Sequence, residues 1–187
     1  MDIRQKFTKK IIRETFLAML EEMSLQKITV KELCARAEIN RATFYKYYQN
    51  PEDLLEALER EQLDSLQQKL DKADAGNLQD IFRVTLSDIK ENYATYKIIF
   101  SENGDMSFRE KIFALCYDEN MKVIKSYFPT MQAEQQEWLY YFIAEGCNGV
   151  LNRWMAGGSV SSIDEVIDFV EKIIADINIS LPKSFVL

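Results

Sequence analysis

Thr29-Val30-Lys31-Glu32-Leu33-Cys34-Ala35-Arg36-Ala37-Glu38-Ile39-Asn40-Arg41-Ala42-Thr43-Phe44-Tyr45-Lys46-Tyr47-Tyr48 is the stretch on which the fold turns. Thr29 with Glu32 three residues later is a capping-box pattern, in which the Thr29 hydroxyl accepts from the Glu32 amide and the Glu32 carboxylate reaches back to the Thr29 amide. Ile28 and Leu33 stand where a hydrophobic staple places them. Val30, Leu33, Cys34 and Ala37 follow at helical spacing, so a compact helix is predicted over Val30 to Ala37 with one narrow buried face. Glu38-Ile39-Asn40 leaves room only for a tight turn. Asn40 is a good N-cap for a further helix from Arg41 to about Tyr48. Two short helices joined by a three-residue turn predict a helix-turn-helix, the geometry that sets its second helix into the DNA major groove.

The contents of that second helix suit base reading. Phe44 and Tyr48 are four apart and bury on one side with Ile39, which leaves Arg41, Ala42, Thr43, Tyr45, Lys46 and Tyr47 on the other. Arg41 carries the fork that pairs bidentately with guanine, Ala42 and the Thr43 methyl suit a thymine methyl, and the hydroxyls and Lys46 suit phosphates. With the capping Thr29, these make a candidate DNA-binding set of Thr29, Arg41, Ala42, Thr43, Tyr45, Lys46 and Tyr47. The competing reading is that the tyrosines are core aromatics. It is preferred for Tyr48, whereas DNA contact is preferred for Tyr45 and Tyr47.

Working outward, a first helix is predicted from about Ile3 to Met23, with an apolar stripe through Phe7, Ile11, Ile12, Phe16, Met19, Leu20 and Met23. Lys6, Lys9, Lys10 and Arg13 lie largely off the stripe. For Lys6 and Lys9, phosphate contact and a solvated face are evenly matched readings. On the other side, Asn50 as N-cap, Pro51 at the first helical position and Glu52 and Asp53 in the first turn open a fourth helix. Residues 1–50 hold ten Lys and Arg against six Asp and Glu, a net +4, so the remainder carries −11 of an overall −7. A basic head on an acidic body suits a protein that presents one face to a polyanion.

The rest of the chain also reads as helix, so the expected fold is all-α. A three-helix head at 1–50 is followed by a larger helical-bundle domain at 51–187. The chain has no histidine and no phosphate-binding glycine loop, which removes the commonest general base and the commonest metal ligand. No enzyme activity, cofactor or metal is expected. Cys34, Cys116 and Cys147 are widely spaced and read as free thiols in a reducing compartment. No apolar run reaches the length of a membrane span and the first residues lack a secretory pattern, so no membrane association and a cytoplasmic location are expected. In the second domain, Tyr93, Tyr96, Phe100, Trp138, Tyr141, Phe142 and Trp154 are an aromatic set for a ligand pocket, although ordinary core is the favoured reading at helical spacing. Gly146 and Gly149 each cost a helix roughly 1 kcal/mol relative to alanine, a cost that close packing across a dimer, or room for a ligand, would offset.

The run from Thr29 through Asn50-Pro51-Glu52-Asp53-Leu54-Leu55 resembles the DNA-binding signature of the TetR/AcrR family of bacterial regulators, with the likeness extending over about Phe7 to Leu58. The resemblance implies an all-helical homodimer on a palindromic double-stranded DNA operator, usually a repressor released by a small-molecule effector. The alternative is an activator or co-regulator whose C-terminal domain binds a partner protein. It also implies dimerisation through the last two helices, where Gly146, Gly149, Ile163, Ile167, Val170 and Ile174 are the candidate interface. The segments Tyr96–Asp105 and Glu145–Trp154 resemble a C-terminal domain type of TetR regulators that includes activators related to dihydroxyacetone kinase control. Two positions depart from the family pattern. Glu38 and Ala42 stand where glycine is usual, so the turn either avoids positive φ or carries strain, and the base-reading face gains a methyl.

Overall fold

The capped segments are helices, and their bounds follow the caps. The computed structural model describes residues 3–73, 78–99, 101, 107–155 and 161–180. Among them the regular structure is helical throughout: α1 (Ile3–Glu22), a 3-10 turn (Leu25–Lys27), α2 (Val30–Arg36), α3 (Arg41–Tyr45), α4 (Pro51–Lys72), α5 (Leu78–Glu91), α6 (Tyr93–Ile99), α7 (Phe108–Tyr127), α8 (Ala133–Met155) and α9 (Ile163–Ser180). None of the helices among the described residues is long and apolar enough to cross a membrane. The chain divides into two compact units, Met1–Gln62 with Ala94–Phe108, and Leu63–Tyr93 with Arg109–Leu187. The division falls inside α4 and at the first residues of α6 and α7.

In the first unit the core is apolar. α1 contributes Ile12, Phe16, Met19 and Leu20, all fully buried. Leu33 and Cys34 of α2, Phe44 of α3, Tyr48 and Leu54, Leu55 and Leu58 of α4 are buried too. At roughly 25 cal/mol per Å² of apolar surface, such side chains drive the head's folding, since helices of five and seven residues are too short to persist alone. The predicted stripe of α1 starts later than expected. Phe7 is 64% exposed, so burial begins at Ile12.

The second unit mixes apolar layers with buried polar groups. Asp88 of α5 is fully buried and meets Lys69 Nζ of α4 at 2.7 Å, with Ser65 Oγ and Asn92 Nδ2 also donating to it at 3.3 Å. Glu91 takes a second Lys69 contact. Burial opposes the Lys69 charge, but its bonds to Asp88 and Glu91 outweigh that and raise its pKa. Gln136 Nε2 donates to the Phe128 carbonyl at 3.0 Å, tying α8 to the turn that precedes it. The Tyr140 hydroxyl donates to the Phe113 carbonyl of α7 at 2.7 Å. At the start of α9, Ser162 and Glu165 form a reciprocal capping box, with Ser162 N to Glu165 Oε2 at 2.7 Å and Glu165 N to Ser162 Oγ at 3.3 Å. Burial pushes the thiols of Cys116 and Cys147 up to about 11 and about 12, and all three cysteines are free.

Candidate nucleic-acid interface

Three side-chain caps set the geometry of the head. The Thr29 hydroxyl accepts from Glu32 N at 3.2 Å, as the capping pattern requires. The reciprocal half of that box is not made, because the Glu32 carboxylate turns to Arg36, 3.5 Å away. Asn40 Oδ1 accepts from both the amide and the hydroxyl of Thr43, at 2.7 and 2.9 Å. Asn50 Oδ1 accepts from Asp53 N at 2.7 Å, and Asp53 Oδ2 in turn accepts from Gln49 N at 2.8 Å. These bonds satisfy amides that a helix N-terminus leaves open, and each contributes about 1 kcal/mol.

Between α2 and α3, Glu38 has a φ of 53°, in the left-handed region. Of the two alternatives for this residue, the turn therefore takes the strained one. A non-glycine residue there costs roughly 1–2 kcal/mol. Ile39 N closes the turn on the Cys34 carbonyl at 3.0 Å. Burial raises the Cys34 thiol pKa, against the pull of the nearby Arg41 charge.

α3 shows its reading face to solvent. Phe44 is fully buried and Tyr48 is 4% exposed, so both anchor the helix from beneath. Arg41, Ala42, Tyr45 and Lys46 are exposed, and Thr43 and Tyr47 are half-buried. Thr29 is exposed at the start of α2. The Thr43 hydroxyl hydrogen is committed to Asn40, so the methyl is the part left for a base. The Tyr48 hydroxyl accepts from Arg13 Nε at 3.3 Å, and Arg13 Nη2 also bonds Glu61 of α4. Burial opposes the Arg13 charge, but Tyr48 and Glu61 outweigh it and raise its pKa. α3 ends at Tyr45, short of the expected Tyr48, and Arg13 is a brace from α1 to the turn that follows it, a role that the sequence pattern did not reveal because its partners lie 35 and 48 residues away.

Lys9 of α1 and Lys46 lie 5.6 and 5.7 Å from the centroid of the Tyr47 ring. The cation–π geometry holds two ammonium groups beside the exposed end of α3. Lys9 therefore joins this basic patch. Lys6 is exposed on the same helix. Arg36 pairs with Glu22 at 2.7 Å.

Within the second unit, the residues proposed for an aromatic pocket do not share one interior. Tyr93 stacks at a tilt on Trp154, with centroids 4.9 Å apart. Tyr96 is fully buried in the first unit, against Phe108 at 6.0 Å. Trp138, Tyr141 and Phe142 are 60%, 52% and 71% exposed on α8. Phe100 lies outside the described residues. The physical reason is that Tyr140, not its aromatic neighbours, is the residue that points into the core, so the residues beside it in sequence point outward.

The candidate interface residues also separate. Gly146 and Gly149 are exposed, and a Cβ at either would meet nothing within 4 Å in the protomer. Ile163 and Ile167 are half-buried. Val170 and Ile174 are buried inside their own unit, with Val166, at one helical face. Among the described side chains of α9, the large apolar residues that turn outward are Phe169 and Ile173 instead, 53% and 43% exposed. α9 carries a broad apolar face, so the sequence alone did not show which edge of it is the core.

Comparison with known proteins agrees with this geometry. Residues 12–58 match the model of bacterial regulatory proteins of the tetR family. Residues 76–176, more than half the chain, match the model of a transcriptional regulator C-terminal region of the same group. An HTH-type dhaKLM operon transcriptional activator, DhaS of Lactococcus lactis subsp. lactis, is 31% identical over 93 residues, which are 50% of this chain. The match spans about half (49%) of that relative's length. The solved structure of a dihydroxyacetone kinase operon activator DhaS superposes with a TM-score of 0.62 at 22% identity, covering 92% of this chain and 97% of that one. The fatty acid degradation regulator FadR from Bacillus halodurans superposes with a TM-score of 0.64 at 12% identity, covering 89% and 94%. At these identities the structures share the fold. With matched models over both its head and most of its remaining length, the chain belongs to the tetR family of bacterial regulatory proteins.

Proposed function

We propose that the protein is a sequence-specific DNA-binding transcriptional regulator that works in the cytoplasm as a homodimer on a palindromic operator. The observation that carries this is the α3 face, where Arg41, Ala42, Tyr45 and Lys46 project from a helix fixed by the Asn40 cap and anchored by Phe44 and Tyr48. Arg41 is assigned to a guanine edge, Ala42 and the Thr43 methyl to thymine, and Tyr45, Tyr47, Lys46 and Thr29 to phosphates and sugars. Lys9, held by the Tyr47 ring, adds a phosphate contact from α1. A palindrome requires two heads, which a symmetric dimer supplies. Trp138, Phe142, Phe169 and Ile173 are large, apolar and exposed, and Gly146 and Gly149 leave space for a close approach. These features support pairing through α8 and α9. No catalytic role is assigned.

Release from DNA by a small-molecule effector is the regulatory reading. A second reading, activation, is favoured by one observation. The relative from Lactococcus lactis and the structurally similar DhaS are both described as operon activators. Footprinting on the DNA around the protein's own gene, at several salt concentrations, tests the proposal. A protected palindrome is expected, with affinity falling steeply in salt by roughly 0.9 log units per log unit of salt for each phosphate contact. Transcription from that site with and without the protein then separates repression from activation.

A further inference from the structure

Between α7 and α8, inside the second unit, lies an open groove of about 520 Å³ whose chemistry is distinctive. Its walls include Phe113, Tyr117, Tyr140 and Tyr141, with Glu110 and Glu145 at the lining and no lysine or arginine among the described residues. The three tyrosine rings pack edge to face. Tyr117 meets Tyr140 at 5.0 Å and 90°, and Tyr140 meets Tyr141 at 5.2 Å and 67°. Two of the hydroxyls are already engaged, Tyr140 with the Phe113 carbonyl and Tyr117 with Glu137 at 3.2 Å. What these two rings retain for a ligand is chiefly π surface.

The electrostatics point one way. Glu110 and Glu145 make no ion pair among the described residues; Glu145 receives only an Asn148 amide at 3.4 Å. Glu137 accepts the Tyr117 hydroxyl hydrogen bond, and Asp118 is the next residue along α7. Burial, together with the charges of Glu137 and Asp118 and the nearby Tyr141, raises the Tyr117 pKa, as expected of a phenol in negative surroundings. An anion is repelled here. A hard metal ion is poorly served, since no three Asp, Glu or Cys converge to hold one among the described residues. Aromatic rings beside unpaired carboxylates are what a diffuse organic cation requires.

We propose that the α7–α8 groove binds a small organic cation of the quaternary ammonium class, with the ammonium against the tyrosine rings and between Glu110 and Glu145. The proposal deepens the effector reading by assigning a site and a ligand chemistry to it. Of the residues put forward from the sequence as pocket lining, it uses only Tyr141.

Calorimetric titration of the full-length protein without DNA tests it, using choline and its neutral tert-butyl isostere. Saturable binding of choline, at least tenfold tighter than the isostere and weakening as salt rises, is expected. Tyr141→Ala and the pair Glu110→Gln with Glu145→Gln lie at exposed positions that leave the fold intact, and each is expected to weaken choline by about tenfold. Equal binding of choline and isostere, or no saturable choline binding, overturns the proposal. Choline binding that appears only in a monomeric variant also overturns it, because a second copy then fills the groove. Because no DNA is present, failure here leaves operator binding standing. Loss of footprinting without loss of choline binding would sink the regulator reading instead.

Discussion

The two units weight local and long-range polar bonds differently, although the head also has its Arg13 brace and the body its Ser162–Glu165 cap. In the head, cap-forming side chains act locally and at the surface: Thr29 on Glu32, Asn40 on Thr43, Asn50 on Asp53, each three residues apart. In the body, polar side chains act at long range and often from within. Lys69 reaches Asp88 19 residues away, Tyr140 reaches the Phe113 carbonyl 27 away, and Arg83 reaches Glu171 88 away. Local caps fix where helices start, and so fix the orientation of a reading face. Long-range polar bonds fix which helices are neighbours. The head is accordingly built for a rigid surface, and the body around interiors and grooves whose chemistry is set by several helices at once.

The largest expected effect follows from the buried pair. Lys69→Met takes the Lys69 ammonium away from the buried Asp88 carboxylate and should lower the stability of the body by about 3 kcal/mol, read from denaturant unfolding. Adding Asp88→Leu should recover most of that loss. A single substitution with no effect would mean that water reaches Asp88 and that the body is not specified from within.

Next in size is a pH effect. The folded Cys116 thiol titrates at about 11 against an ordinary value of 9.0. Below 9.0 both states hold the proton, so stability is unaffected. Above it the unfolded thiol ionises first, so the stability contribution is lost as pH rises from 9 towards 11, by roughly 1 kcal/mol at pH 10. Unfolding of Cys116→Ala, compared with the parent between pH 8 and pH 10, checks the sign, because the variant should lose less.

In the head, Asn40→Ala removes the cap shared by the Thr43 amide and hydroxyl and should cost about 1 kcal/mol. Affinity for specific DNA should fall with it, since the first turn of α3 carries Arg41 and Ala42. The smallest expected change is a gain. Glu38→Gly relieves the left-handed strain at φ 53° while increasing the freedom of the unfolded chain, for a net stabilisation of roughly 0.5 kcal/mol. It also removes a negative charge from the DNA side, so affinity for any duplex should rise, most clearly at low salt. If Glu38→Gly destabilises the head, Glu38 makes a compensating interaction and the strain reading fails.

The same contrast explains what was legible in the sequence. Helix starts at Val30, Arg41 and Pro51 were readable because each cap and its target share one turn. The recognition face was readable because Phe44 and Tyr48 define the buried side of a short helix. The helices of the body were readable as helices, but their faces were not. α9 offers apolar residues on several sides, and only packing shows that Val166, Val170 and Ile174 turn inward while Phe169 and Ile173 turn out. Tyr96 was grouped with the body's aromatics, yet it is buried in the first unit, because no local signal tells which neighbours α6 will meet. Arg13, the brace beneath α3, was read only as a basic residue off the α1 stripe, since its partners are distant in sequence.

The central claim, that the exposed face of α3 reads DNA sequence while the lysines around Tyr47 supply general affinity, meets its most direct test in a titration of Arg41→Ala and Lys9→Ala against the protected operator and an unrelated duplex at fixed salt. Arg41→Ala is expected to lose about 1–3 kcal/mol on the operator and little on the unrelated duplex, whereas Lys9→Ala should weaken both alike. Unchanged operator affinity in Arg41→Ala would contradict the account.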